Sequence, residues 1–293
     1  MAGLSRGQSQ IVRVQASRAV FEFTAKIPED SREILVPFMP RVLENLLDIC
    51  NTATSEVLCL LIEVITECVN VDDTALPQFA EKIVDLVLNV LQQYNSDPHV
   101  CCIVEELVSA FAERVTPDKR EIYSGLFTRL TPFLVRVLST SEEEIESDNC
   151  AVTNSYISIC FDITTRFVRS LPPPIPDQFI AQLYPVVVEK TLGSTDTQVI
   201  QCGGETVRGF FAKASPQICA MPGGLEAGER VILHLLEPNA PEYSASFAGR
   251  LVTLILTGFE TSSWHVFDLS KNIAVQRGKV RVHENVQPHL SSL

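Results

Sequence analysis

Basic residues are in short supply in this 293-residue chain, where 23 Lys and Arg stand against 36 Asp and Glu for a formal charge of −13. Such a surface has no net positive potential with which to displace counterions from phosphates, so direct nucleic-acid binding is disfavoured and basic partners are favoured. Glycine is scarce at 13 residues, and there is a single tryptophan. No apolar run approaches the ~18 residues that a membrane-spanning helix needs. The opening "MAGLSRGQSQ" lacks the apolar segment of a secretory signal. No convincing alternating strand occurs before residue 265. A soluble, intracellular, helical protein is expected.

Motifs for catalysis and cofactor binding are missing as well. The five His residues are scattered, with no nucleophile motif near them. The nine cysteines are Cys50, Cys59, Cys68, Cys101, Cys102, Cys150, Cys160, Cys202 and Cys219. Their odd number, and their place in apolar helical stretches, suits free thiols in a reducing compartment. "HVCC" (His99, Cys101, Cys102) is too small a set for a structural zinc site, which needs four ligands. On a helix, Cys101 and Cys102 would also point about 100° apart. No enzyme activity, cofactor or metal is expected.

What the chain has in quantity is helical periodicity. In "HVCCIVEELVSAFAERV", Val100, Ile103, Val104, Leu107, Val108, Phe111 and Val115 form one stripe, with Glu105, Glu106, Ser109 and Glu113 opposite. The helices come in pairs. First members span 36–50, 75–94, 122–140, 175–192 and 228–238; second members begin near Glu56, His99, Asn149, Thr197 and Glu242. Those starts are 43, 50, 48 and 45 residues apart. Two helices per unit with a period in the forties is the signature of HEAT or armadillo-type repeats. A further helix opens the chain at 11–27, so residues 1–260 are expected to form an all-α HEAT-repeat α-solenoid of about five and a half pairs. Turns such as "NSDPH" and "STDTQ" offer side-chain oxygens to cap the second helices, and Pro98 suits a first helical position. Prolines in first helices ("PFMP", "LTPF", "LYPV") are expected to bend them. The first repeat lacks a partner helix and neither end carries a capping repeat, which suggests a segment of a longer solenoid. Residues 261–293 show no helical stripe and reverse the charge balance. They read as a disordered or non-native tail, or alternatively as a short hairpin around Arg277-Gly278-Lys279.

Two stretches compete as sites. "QVIQCGGETVRGFF" (198–211) places Gly203, Gly204 and Gly209 among apolar and charged residues, which raises the question of a phosphate loop. The spacing fits neither a P-loop nor a dinucleotide fingerprint, and the capped start "STDTQ" puts the glycines inside a helix. Gly203 then joins a stripe with Ile200, Val207, Phe210 and Ala214, while Gly204 falls off it toward solvent or a polar groove. Each glycine costs the helix about 1 kcal/mol against Ala, so close approach of a neighbour is expected in compensation. The second stretch is "SEEEIESDN", where Glu142, Glu143, Glu144, Glu146 and Asp148 crowd one inter-helix turn. Either it is a solvated turn, or it holds Lys/Arg-rich cargo in a salt-sensitive way.

In order and spacing, "SEVLCLLIEVITECVNVD" (55–72), "NSDPHV" (95–100), "CGGETVRGF" (202–210) and "PEYSASFAGRLVTLIL" (241–256) resemble the central HEAT repeats of the importin-β (karyopherin-β) family. The resemblance covers roughly residues 10 to 258. It implies nuclear import: a receptor that shuttles between cytoplasm and nucleus and binds basic cargo, including core histones and ribosomal proteins. It also implies passage through the pore on FG-nucleoporins and cargo release under Ran-GTP. The family's principal Ran-binding surface lies in N-terminal repeats that have no counterpart here. The alternative class is a HEAT scaffold or adaptor subunit without a transport role, which period and composition do not separate from a receptor.

Overall fold

The computed structural model describes residues 7–28, 36–50, 52–71, 76–120, 123, 125–140 and 150–235. In chain order its α-helices are α1 (Gln10–Lys26), α2 (Met39–Cys50), α3 (Ser55–Val71), α4 (Leu76–Gln93), α5 (Pro98–Glu113), α6 (Thr131–Leu138), α7 (Cys150–Ser170), α8 (Asp177–Gly193), α9 (Thr197–Ala220) and α10 (Gly224–Leu235). Among the described residues there is no strand. The second helices α3, α5, α7 and α9 start within one residue of their expected positions. The expected second helix near Glu242 and the tail at 261–293 lie outside the described residues.

The starts are set by capping. Asp97 accepts from the Val100 amide at the head of α5, where Pro98 occupies a position whose N–H would have no partner. Asp196 accepts from the amides of Gln198 and Val199 at 2.9 and 3.0 Å and opens α9 in the same way. The prolines act differently from one helix to the next. In "PFMP", a 3₁₀ turn (Val36–Phe38) precedes α2. In "LTPF", a π turn (Leu126–Leu130) leads into α6, where Pro132 has no N–H to offer the Thr128 carbonyl. Pro185 stays inside α8. The one break inside a described helix falls in a second helix. Ala214 of α9 takes φ −137° and ψ 24°, two residues before Pro216.

The chain divides into two compact units, residues 1–133 with 170–172, and residues 134–169 with 173–293. In the first, the second helices α1, α3 and α5 stack side by side, and the first helices α2 and α4 form a parallel row beside them. Each pair is closed by aliphatic side chains with no exposure: Leu43 and Leu46 of α2, Leu61, Ile62 and Ile65 of α3, Val104 and Leu107 of α5. A leucine buried in this way stabilises by about 1.5–3 kcal/mol. Arg13 of α1 is buried among them and donates to the side chain and backbone carbonyl of Asn45. In the second unit, α9 packs against both α8 and α10. Their core is aromatic: the rings of Phe167 and Phe179 meet edge-on at 5.0 Å, and Tyr184 meets Phe210 at 5.7 Å. The Tyr184 hydroxyl donates to the Gly224 carbonyl at 2.7 Å.

Candidate functional site

The five acidic residues expected in an inter-helix turn, Glu142, Glu143, Glu144, Glu146 and Asp148, lie outside the described residues. A second acidic surface, which motif reading passed over, is built on α3 and α5. Glu56, Glu63 and Glu67 stand seven and four residues apart on α3, along the side its apolar stripe leaves free. Glu105, Glu106 and Glu113 lie on the side of α5 that its own apolar stripe leaves free. Neither helix contains a Lys or Arg, and the two helices pack side by side. Arg18 of α1 reaches this face, 3.1 Å from Glu67, 3.8 Å from Glu63 and 3.6 Å from Glu22 of its own helix. One guanidinium among three carboxylates leaves the neighbourhood negative. At the far end, Arg114 donates to the Asn70 carbonyl at 2.7 Å and closes the last turn of α3. The signal was present in the sequence, as two consecutive second helices with glutamate but no base.

On the other side of this unit, a groove of about 480 Å³ runs between α2 and α4. It is lined by the buried Leu47, Leu86 and Val90 and the exposed Asp48, Lys82 and Asp85. Burial pushes the Cys50 thiol in its wall up to about 12, so that sulfur stays protonated and is a poor nucleophile. Asp85 is paired with Arg129 at 2.6 Å. Cys101 and Cys102 do not act together: Cys101 is buried and donates to the Tyr94 carbonyl, and Cys102 is exposed.

Gly203 and Gly204 lie within α9, in the run between the Asp196 cap and the break at Ala214. A Cβ on Gly203 would run into the hydroxyl of Thr191 on α8, with the Thr191 Cβ at 2.9 Å and Cγ2 at 3.0 Å. Thr191 cannot easily yield, because its hydroxyl donates to the Val187 carbonyl at 2.7 Å. Gly204, expected to face solvent or a polar groove, is instead buried against Leu235 of α10. The sequence shows one apolar stripe on α9, but the helix has neighbours on more than one side. A Cβ on Gly209 would meet Thr165 Cγ2 of α7 at the ordinary contact distance of 3.8 Å.

Along that same side, α7 and α9 share a polar seam. The hydroxyls of Thr165 and Thr206 are 2.7 Å apart, and Thr206 also lies within reach of the Phe161 and Cys202 carbonyls. One turn away, Asp162 accepts from the Cys202 thiol. Burial raises the carboxyl above its ordinary value, and burial together with the nearby Asp162 charge pushes Cys202 up to about 12. The seam ends at Glu205, which holds Arg169 at 3.0 Å and Arg208 at 2.6 Å. Its groups are matched with one another, as a structural contact requires.

A family model described as RIX1, rRNA processing/ribosome biogenesis, matches residues 10–98. Importin-9 of Drosophila melanogaster is 27% identical over 266 residues, covering 88% of this chain and 25% of that protein. Importin subunit beta-5 of Schizosaccharomyces pombe is 24% identical over 236 residues, covering 80% of this chain and 22% of that protein. The chain thus spans about a quarter of the length of these curated relatives. Two engineered proteins solved by the Northeast Structural Genomics Consortium each superpose with a TM-score of 0.53, at 17% and 16% identity. They cover 86% and 87% of this chain, which is 94% and 96% of their own lengths. At that identity they speak to fold alone, an all-α solenoid of helix pairs. The matches bear out the resemblance to the importin-β family.

Proposed function

We propose that this chain is part of a nuclear import receptor that shuttles between cytoplasm and nucleus, binds basic cargo and releases it under Ran-GTP. The observation that carries the reading is the similarity to two importins over 88% and 80% of the chain. The acidic face of α3 and α5 and the acidic turn at 142–148 supply the physical means. Core histones and ribosomal proteins are rich in Lys and Arg, and carboxylates spread over several repeats hold such proteins by many weak, screened contacts. Glu142, Glu143, Glu144, Glu146 and Asp148 are proposed as cargo contacts alongside the α3 and α5 glutamates. FG-nucleoporins and Ran are proposed partners of the full-length receptor.

The test is a pulldown of core histones on the full-length gene product, with Ran loaded with GTP or with GDP. Capture under Ran-GDP and release under Ran-GTP support the receptor. The second reading, a HEAT scaffold without a transport role, is favoured by the RIX1 match over residues 10–98. It predicts binding that ignores the nucleotide on Ran.

A further inference from the structure

We propose that Thr116 is a phosphorylation site for a proline-directed Ser/Thr kinase. Three Ser/Thr-Pro dipeptides occur in the chain, Thr116-Pro117, Thr131-Pro132 and Ser215-Pro216. The fold withholds two of them. Thr131 is 2% exposed at the head of α6, and Ser215 is 4% exposed within α9. Thr116 and Pro117 are both exposed, in the irregular segment that follows α5. A kinase must draw its acceptor into an extended strand, which the residue before a proline already favours and a helix opposes. Pro117 has no N–H, so it suits a pocket that offers no acceptor at that position. Lys119, three residues after Thr116, supplies the cation that many kinases of this class also read.

Thr116 itself is held by few bonds. The Thr116 amide donates to the Arg114 carbonyl, its own carbonyl accepts from the Lys119 amide, and its hydroxyl bonds the fully exposed Asp118 carboxylate. In the reaction the Thr116 Oγ1 attacks the γ-phosphorus of a bound nucleoside triphosphate. The bond to the β,γ-bridging oxygen breaks, the nucleoside diphosphate leaves, and the hydroxyl proton passes to the kinase's catalytic carboxylate. The product is a phosphothreonine carrying about −1.5 to −2 charges. That charge takes the place of the hydroxyl beside Asp118. Arg114, Lys119 and Arg120 stand within four residues of it in the sequence. The proposal stands apart from the transport reading, since it uses neither cargo nor Ran.

The test incubates the full chain with a purified proline-directed kinase and labelled ATP, and maps the phosphate by peptide mass spectrometry. One phosphate at Thr116 is expected, absent in Thr116→Ala, slowed about tenfold or more in Pro117→Ala, and unchanged in Thr131→Ala. A Ser215→Ala control should also keep the parent rate, with circular dichroism confirming that every variant is folded. Incorporation at Thr131 or Ser215 in the folded chain overturns the assignment. So does incorporation that survives Thr116→Ala, or no incorporation at all while a control peptide is modified.

Discussion

The Thr165 hydroxyl on α7 and the Thr206 hydroxyl on α9 sit 2.7 Å apart, both buried and 41 residues apart in sequence. Two second helices are thus joined by a bond that apolar packing alone does not specify. Replacing one partner leaves the other buried without its bond, which costs about 1–3 kcal/mol. Thr206→Val keeps the shape, and should lower the unfolding free energy read from urea denaturation by that amount. The double variant Thr165→Val/Thr206→Val should lose less than the sum of the two single changes, because no hydroxyl is then orphaned.

The adjacent glycines should respond in opposite directions. Gly203→Ala drives a methyl into Thr191, a β-branched side chain held by its own hydrogen bond, and should destabilise by about 1–3 kcal/mol. Gly204→Ala meets only the Leu235 methyl ends, at 3.3 and 3.5 Å, which can rotate away. It regains about 1 kcal/mol of helix propensity and should be neutral or stabilising. Equilibrium unfolding of the two variants side by side decides the matter, and the reverse order would show that α8 and α10 approach α9 differently.

Asp162 should make stability fall as pH rises. Burial lifts its carboxyl above the ordinary 3.8, so the folded chain holds that proton more tightly than the unfolded chain. The contribution is therefore complete below 3.8 and is lost as pH climbs through the raised folded value. Asp162→Asn keeps an oxygen to accept from Cys202 and removes the titration. The variant should gain on the parent from mildly acidic conditions toward neutrality, as read by denaturation midpoints across that range. A constant difference at all pH values would contradict it.

The acidic surfaces can be weighed against each other. Gln at Glu56, Glu63, Glu67, Glu105, Glu106 and Glu113 defines one variant, and Ser or Gln at Glu142, Glu143, Glu144, Glu146 and Asp148 a second. Single exposed charge contacts are worth about 0.2–1 kcal/mol, so each set should weaken histone binding about tenfold or more at low salt and flatten its salt dependence. A set that changes neither affinity nor slope does not touch cargo.

The helix pairs were legible because their determinants are local. Asp97 with Pro98 and Asp196 mark where α5 and α9 begin, and the stripe of Val100, Val104, Leu107 and Phe111 fixes the buried side. What stayed hidden depends on which helices become neighbours. Gly204 has no stripe of its own, and its partner Leu235 lies 31 residues on, in a different helix. The Thr165–Thr206 bond joins helices from successive repeats, and its register follows from how the repeats stack. The acidic stretch at 142–148 drew notice because its carboxylates are adjacent in sequence; those of α3 and α5 are scattered along two helices that become neighbours only in the fold.

The break at Ala214 changes how α9 carries force. A continuous α-helix passes a push or twist along its axis through an unbroken ladder of backbone bonds. In α9 that ladder is interrupted where Ala214 leaves helical geometry and Pro216 has no hydrogen to give the Ala212 carbonyl. The longest helix described here is therefore mechanically two rods in series. The first, with Gly203 and Thr206, is clamped by Thr191 and Thr165. The second is tied through Gln217 to the Ile175 carbonyl and to Asp177 at the head of α8. A load on one rod reaches the other through these lateral ties rather than along the axis.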